Sequence, residues 1–123
     1  MKTLLLVDDD EQFLWVLGKT LIDEGYDVLS TADGPQALSI VQLRRPDLVL
    51  LDIGLPTMDG IKVLEEIKRI DSSIKVIIVS AYSSETTLGS AVRAGASEIL
   101  EKPIDVDSLL VTIRETIGPS GRS

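Results

Sequence analysis

Four sets of polar residues carry the chemistry of this sequence, and each stands just after a short apolar run. Asp8, Asp9 and Asp10 follow Leu4–Val7, Asp52 follows Leu48–Leu51, Ser80 follows Val76–Val79, and Lys102 comes shortly after Ile99–Leu100. Carboxylates gathered together repel one another and favour a cation. With oxygen ligands only, Mg²⁺ is the natural choice, and it keeps waters and substrate phosphate in its shell. A carboxylate can also act as a covalent nucleophile and carry an acyl phosphate. Phosphoryl transfer asks for in-line positioning and charge neutralisation on the equatorial oxygens more than for acid–base groups. In such a site Lys102 would neutralise, alongside Mg²⁺, and Ser80 would donate a hydrogen bond to a phosphoryl oxygen.

Each of these residues also has an ordinary reading. Asp8–Asp10 would serve as helix caps, and for Asp10 and Glu11 that is the expected role. Asp52 alone would be a turn residue, Ser80 a turn or helix-entry serine, and Lys102 a solvated surface lysine. Four such groups at the ends of four separate runs are much harder to explain that way.

Composition narrows the chemistry further. The 123 residues amount to one domain, and 44% of them are apolar, enough to build a core. There is no cysteine and no histidine, which removes thiol nucleophiles, zinc–thiolate sites and the commonest general base. Any metal must be a hard cation held by oxygen. Twelve basic against 20 acidic side chains give a net charge of −8, which disfavours direct contact with nucleic acid or anionic membrane. No apolar run has the length of a membrane span, and Met1–Val7 is too short for a signal peptide, so a cytoplasmic protein is expected.

The elements that must position these groups alternate. The runs Leu4–Val7, Leu48–Leu51 and Val76–Val79 are nearly uninterrupted Leu, Val and Ile, as in strands buried on both faces of a parallel sheet. Val28–Ser30 and Ile99–Leu100 are weaker and suit edge positions. Helical stripes lie between them. Phe13, Val16, Leu17 and Leu21 form the first, which Gly25 ends. Gly34-Pro35 opens the second. Asp59 caps the third, with Val63, Leu64 and Ile67 inward; Ser83 or Ser84 caps a fourth with Leu88, Ala91 and Val92; Asp105 caps a fifth with Leu109, Leu110, Ile113 and Ile117. Strand–helix repeated five times predicts a three-layer α/β domain with right-handed crossovers. In such sheets ligands bind at the carboxyl ends of the strands, where strand order reverses. A single domain over 1–117 is expected, with 118–123 as a flexible tail or the start of a linker.

At these residues the sequence resembles the receiver domains of two-component response regulators, from Lys2 to about Ile117. The motifs are Leu-Leu-Leu-Val-Asp-Asp-Asp at 4–10, Asp-Leu-Val-Leu-Leu-Asp-Ile-Gly-Leu-Pro-Thr-Met-Asp-Gly at 47–60, Val-Ile-Ile-Val-Ser-Ala-Tyr at 76–82 and Ala-Gly-Ala-Ser-Glu-Ile-Leu-Glu-Lys-Pro-Ile at 94–104. The resemblance implies a five-stranded parallel sheet of flavodoxin-like order 2-1-3-4-5. It implies Asp52 as phosphoacceptor, and Asp8 and Asp9 as the acidic pair, Asp9 being the more direct Mg²⁺ ligand. The backbone carbonyl of Gly54 would be a third protein ligand, Ser80 the hydroxyl that swings to the phosphoryl group, and Lys102 the counter-ion, with a cis bond before Pro103. With no histidine in the chain, a sensor histidine kinase or a histidine phosphotransfer protein must donate the phosphoryl group. The output would be a downstream protein target or a C-terminal effector domain, through the fourth helix, fifth strand and fifth helix; dimerisation on phosphorylation stays open.

The sequence departs from the family at two places. The position three before the lysine, usually aromatic, is Ile99, whose branched side chain is stiff. Switching would then rest more on Ser80 and on a fourth helix weakened by Gly89 by roughly 1 kcal/mol relative to Ala. Gly54 stands where the family more often has a larger side chain, so a more open pocket mouth is expected, with Tyr82 shielding it in part. Leu14 and Trp15 fall off the first helix's buried stripe and offer a patch for the phosphodonor. Two other functions compete: an interaction module that never turns over phosphate, and an enzyme. An aspartyl-phosphate phosphatase would want a second Asp at position 54, and a nucleotide-binding domain would want a Gly-rich turn where Asp8–Asp10 stand. A signalling domain limited to its own phosphorylation and dephosphorylation is the reading carried forward.

Overall fold

The computed structural model describes residues 1–55, 58–81 and 84–119. Strands and helices alternate along the chain: β1 (Thr3–Val7), α1 (Glu11–Asp23), β2 (Asp27–Thr31), α2 (Gly34–Arg44), β3 (Leu48–Asp52), α3 (Gly60–Ile70), β4 (Lys75–Ser80), α4 (Glu85–Ala94), β5 (Glu98–Glu101) and α5 (Val106–Ile117). The strands are all parallel, in the order β2-β1-β3-β4-β5. The two weakest apolar runs are thus the two edges, and β1 and β3 flank the reversal of strand order.

Side chains along a strand point alternately to the two faces. Leu5, Val7, Val49, Leu51, Val76 and Ile78 therefore enter one core with Ala37, Val41, Val63, Leu64 and Ile67 from α2 and α3. Their neighbours Leu4, Leu6, Leu48, Leu50, Ile77 and Val79 enter the other, with Leu17, Leu21, Leu109 and Ile113 from α1 and α5. The central strands carry unbroken apolar runs, Leu4–Val7, Leu48–Leu51 and Val76–Val79, because both faces are covered there.

The caps follow the sequence closely. Asp10, Asp33, Asp59 and Ser84 accept hydrogen bonds from backbone N–H groups of the helices they precede. Asp105 sits at the corresponding position of α5 without such a bond; its carboxylate accepts from the Ser108 hydroxyl instead. Gly25 takes φ 100° just after α1, a left-handed conformation that favours glycine.

Of the first helix's expected stripe, Phe13, Leu17 and Leu21 pack inward and Val16, 48% exposed, does not; Leu14 packs against the core as well, so the inward arc is Phe13, Leu14, Leu17, Gly18 and Leu21. Gly18 is buried on this arc and faces β2: a Cβ there would lie 3.8 Å from the Val28 side chain, at ordinary van der Waals contact. Val92, expected inward on α4, is also exposed, and Ala91 is that helix's one buried residue. Among the described helices none is long and apolar enough to cross a membrane.

Candidate functional site

The carboxyl ends of β1, β3 and β4 bring the candidate residues to one edge. Asp8 follows β1, with its N–H donating to the Thr31 carbonyl of β2 at 3.2 Å. Asp52 is the last residue of β3 and Ser80 the last of β4. Lys102 follows β5, where its N–H donates to the Ser80 carbonyl at 2.9 Å, and the Lys102–Pro103 bond is cis. All three side chains from the central strands are buried: Asp8 is 3% exposed, Asp52 7% and Ser80 3%. Buried polar groups of this kind need partners.

The partners form a connected set. The Lys102 ammonium donates to Asp8 Oδ2 at 2.8 Å and to Asp52 Oδ2 at 3.3 Å. The other Asp8 oxygen accepts from the Asp10 N–H at 2.9 Å, and the other Asp52 oxygen from the Gly54 N–H at 2.8 Å. Burial alone would lower the Lys102 pKa; its hydrogen bond to Asp8 and the negative charges of Asp52 and Asp8 outweigh that and raise it. The ammonium is therefore held charged. The Phe13 ring lies beneath it, with Nζ 5.1 Å from the ring centroid, within cation–π range.

Asp8, Asp9 and Asp52 each offer a carboxylate oxygen within 4.8 Å of the others, and Asp9 is exposed at the mouth. Three formal negative charges against the one positive charge of Lys102 leave two uncompensated. An oxygen-only set with that residual charge fits a hard divalent cation such as Mg²⁺. A cavity of about 530 Å³ opens over this cluster, lined by Asp9, Asp52, Gly54, Ser80, Thr87 and Lys102 among others. Gly54 and Ala81 on its rim are exposed and carry little side chain.

The structure thus gathers Asp8, Asp9, Asp52, Gly54, Ser80 and Lys102 in one place. Tyr82, expected at the mouth, lies outside the described residues. Ile99 sits half-buried against the core on the α2–α4 face. Leu14 is half-buried, packing against the core while lining an open groove beside Trp15, which is 68% exposed with its ring 5.4 Å from the Lys19 ammonium. Two neighbours escaped the sequence reading. Phe13 reads as core from its spacing alone. Thr87 has no local signal; only the packing of α4 beside β4 brings it to the cavity wall.

The pattern of the response regulator receiver domain matches residues 4–114 of this chain. Sporulation initiation phosphotransferase F of Bacillus subtilis is 39% identical over 112 residues, covering 91% of this chain and 90% of that protein. Transcriptional regulatory protein ZraR of Klebsiella oxytoca is 43% identical over 114 residues; the chain spans 26% of its length. A CheY-like receiver domain protein of Methanospirillum hungatei superposes with a TM-score of 0.93 at 32% identity, over 95% of this chain and 94% of that one. A Burkholderia pseudomallei response regulator, crystallised with a phosphorylated aspartic acid, a calcium ion and citrate, superposes at 0.85 with 26% identity, over 90% of this chain and 65% of that one. With the fold, the acidic cluster and these matches together, the chain belongs to the response regulator receiver domains of two-component signalling.

Proposed function

We propose that this receiver accepts a phosphoryl group from a partner's phosphohistidine onto Asp52 in a Mg²⁺-dependent reaction, and that the phosphorylated form switches protein–protein contacts. The observation that carries the reading is the Lys102 ammonium bridging Asp8 and Asp52 inside a cluster that still has two negative charges to balance.

Asp8, Asp9, Asp52 and the Gly54 carbonyl would hold the ion. Bound there, Mg²⁺ would offset the negative charge that otherwise keeps a phosphoryl donor away. The chain's own residues do the rest. An Asp52 oxygen attacks phosphorus; the P–O bond forms as the P–N bond to the donor imidazole breaks, and the imidazole keeps the electron pair. Burial and the Gly54 N–H fix the Asp52 carboxylate so that little reorientation is needed at the moment of attack. Lys102 would shift its bond from Asp52 to a phosphoryl oxygen, and Ser80 would donate to another. Loss of the group is hydrolysis of the acyl phosphate by water, so the domain's turnover is confined to itself.

These 123 residues hold no histidine, so the donor lies outside them, on a sensor histidine kinase or a histidine phosphotransfer protein. The recipient of the signal is a downstream protein or an effector domain carried C-terminally, as the greater length of ZraR allows. Residues 1–117 act as the receiver unit, and 118–123 as tail or linker.

The test uses the purified chain with Mg²⁺ and acetyl phosphate, read by intact mass beside Asp52→Asn. A single phosphoryl adduct on the wild type alone, absent with EDTA, is expected. No adduct on the wild type, with Mg²⁺ binding intact, would leave a phosphate-independent interaction module.

A further inference from the structure

We propose that the Thr87 hydroxyl is a second phosphoryl-binding hydroxyl of this site, donating to an oxygen of the phosphoryl group on Asp52 and so carrying the phosphorylation state directly into α4. The proposal rests on Asp52 being the acceptor.

Thr87 is half-buried and lines the same cavity as Asp52, Ser80 and Lys102. Among the described residues it is the one wall residue that belongs to a helix body; the others come from strand ends and the turns after them. Its capping bonds leave a donor over. The Thr87 backbone N–H donates to Ser84 Oγ at 3.1 Å, and the Ser84 hydroxyl donates to Thr87 Oγ1 at 3.0 Å. A hydroxyl has one donor and two acceptor sites. The cap thus draws on the Thr87 N–H and one lone pair, and the hydroxyl proton is not engaged in it.

The surroundings give that proton a use. Ser80 shares strand parity with Val76 and Ile78, which face the α2–α4 layer, so the wall between Asp52 and α4 already carries one hydroxyl. A phosphoryl group brings three terminal oxygens, each able to accept more than one bond, and Lys102 and Ser80 do not exhaust them. The helix that carries Thr87 is also light to move, since only Ala91 of α4 is buried. A bond at its first turn would bias its position more readily than a bond to α3, which is held by four buried residues.

Three variants test this: Thr87→Val removes the hydroxyl at similar shape, Thr87→Ala removes it with the bulk, and Thr87→Ser retains it. All three keep the backbone cap bond to Ser84. Each is treated with Mg²⁺ and acetyl phosphate, with adduct formation read by intact mass and backbone amide shifts of residues 85–94 read by NMR. The expected result is adducts on all proteins, α4 shifts reduced by about half or more in Thr87→Val and Thr87→Ala, and wild-type shifts in Thr87→Ser. Shifts near Ser80 and Lys102 should persist throughout. Wild-type α4 shifts in a folded Thr87→Val or Thr87→Ala protein would overturn the proposal and leave Thr87 a capping residue. Equal loss in Thr87→Ser would overturn it as well. An absent adduct on the wild type would instead remove the underlying assignment of Asp52.

Discussion

The two sides of the site are built to different standards. On one side stand β1, β3 and α3: every residue of β3 is buried, and α3 sinks Gly60, Val63, Leu64 and Ile67 into the core. On the other stand α4 and β5, where Ala91 is buried in the helix and the strand has no fully buried residue. The acids thus sit on the rigid side, where a fixed carboxylate costs least to hold near its neighbours. The α4–β5 side, which carries Thr87, is loosely held, and loosely held elements are the ones free to move when a ligand arrives. One fold therefore separates the part that must stay still for chemistry from the part that must respond to it.

Two glycines break this comparison most sharply. A Cβ on Gly60 would fall 2.2 Å from the Ile53 Cα, so backbone beside Asp52 would have to shift. Gly60→Ala should cost about 3 kcal/mol, at the upper end for overpacking. A Cβ on Gly89 would meet the Arg93 guanidinium at 3.1 Å, the far end of a flexible side chain. Gly89→Ala should therefore stabilise by up to about 1 kcal/mol, the difference in helix propensity. Urea unfolding of both variants checks the pair; a cost at both positions would mean that α4 is as tightly packed as α3.

Leucine truncations sharpen the contrast. Leu51 is 0% exposed between the layers, whereas Leu88 is half-buried on α4. Leu51→Ala should lose about 2–5 kcal/mol, and Leu88→Ala about 1 kcal/mol, in proportion to the area it covers. Thermal unfolding of the two variants reads the ratio. Amide hydrogen exchange extends it without mutation, with α4 expected to exchange through smaller openings than α3.

The smallest effect concerns the α3–β4 turn on the rigid side. Hydrogen bonds from the Ser73 hydroxyl and N–H, with the Arg45 charge adding, hold the Asp71 carboxyl below its ordinary pKa of 3.8. A depressed carboxyl gives stability that is present above that ordinary value and lost as pH falls through the folded one. Asp71→Asn should then be less stable than wild type near neutral pH, with the gap closing under acid. Chemical denaturation at several pH values measures it, and a gap independent of pH would contradict the assignment.

Legibility in the sequence followed the same divide. The three central strands were readable because burial on both faces leaves unbroken Leu, Val and Ile, and the polar residue that ends each run then stands out. The edges showed as weaker runs. Helix facing was less readable: on α1 the inward arc includes Gly18, buried beside Val28 of the edge strand, and a glycine adds nothing to an apolar period. Leu14 packs against the core there and Val16 is exposed. Val92 was misplaced for a related reason, since the loosely covered α4 buries a single alanine. The site's acids, hydroxyl and lysine were legible at strand ends. The Lys102 bridge to Asp8, 94 positions away, and the presence of Thr87 on the wall were products of tertiary packing.

The central claim is that Asp52, and not the exposed Asp9 or the neighbouring Asp8, receives the phosphoryl group. The most direct measurement is to phosphorylate the chain with acetyl phosphate and Mg²⁺, reduce the acyl phosphate with borohydride, and map the product by peptide mass spectrometry. Homoserine at position 52 alone is the predicted result. Homoserine at position 8 or 9, or phosphorylation without any reducible aspartate, would contradict the account.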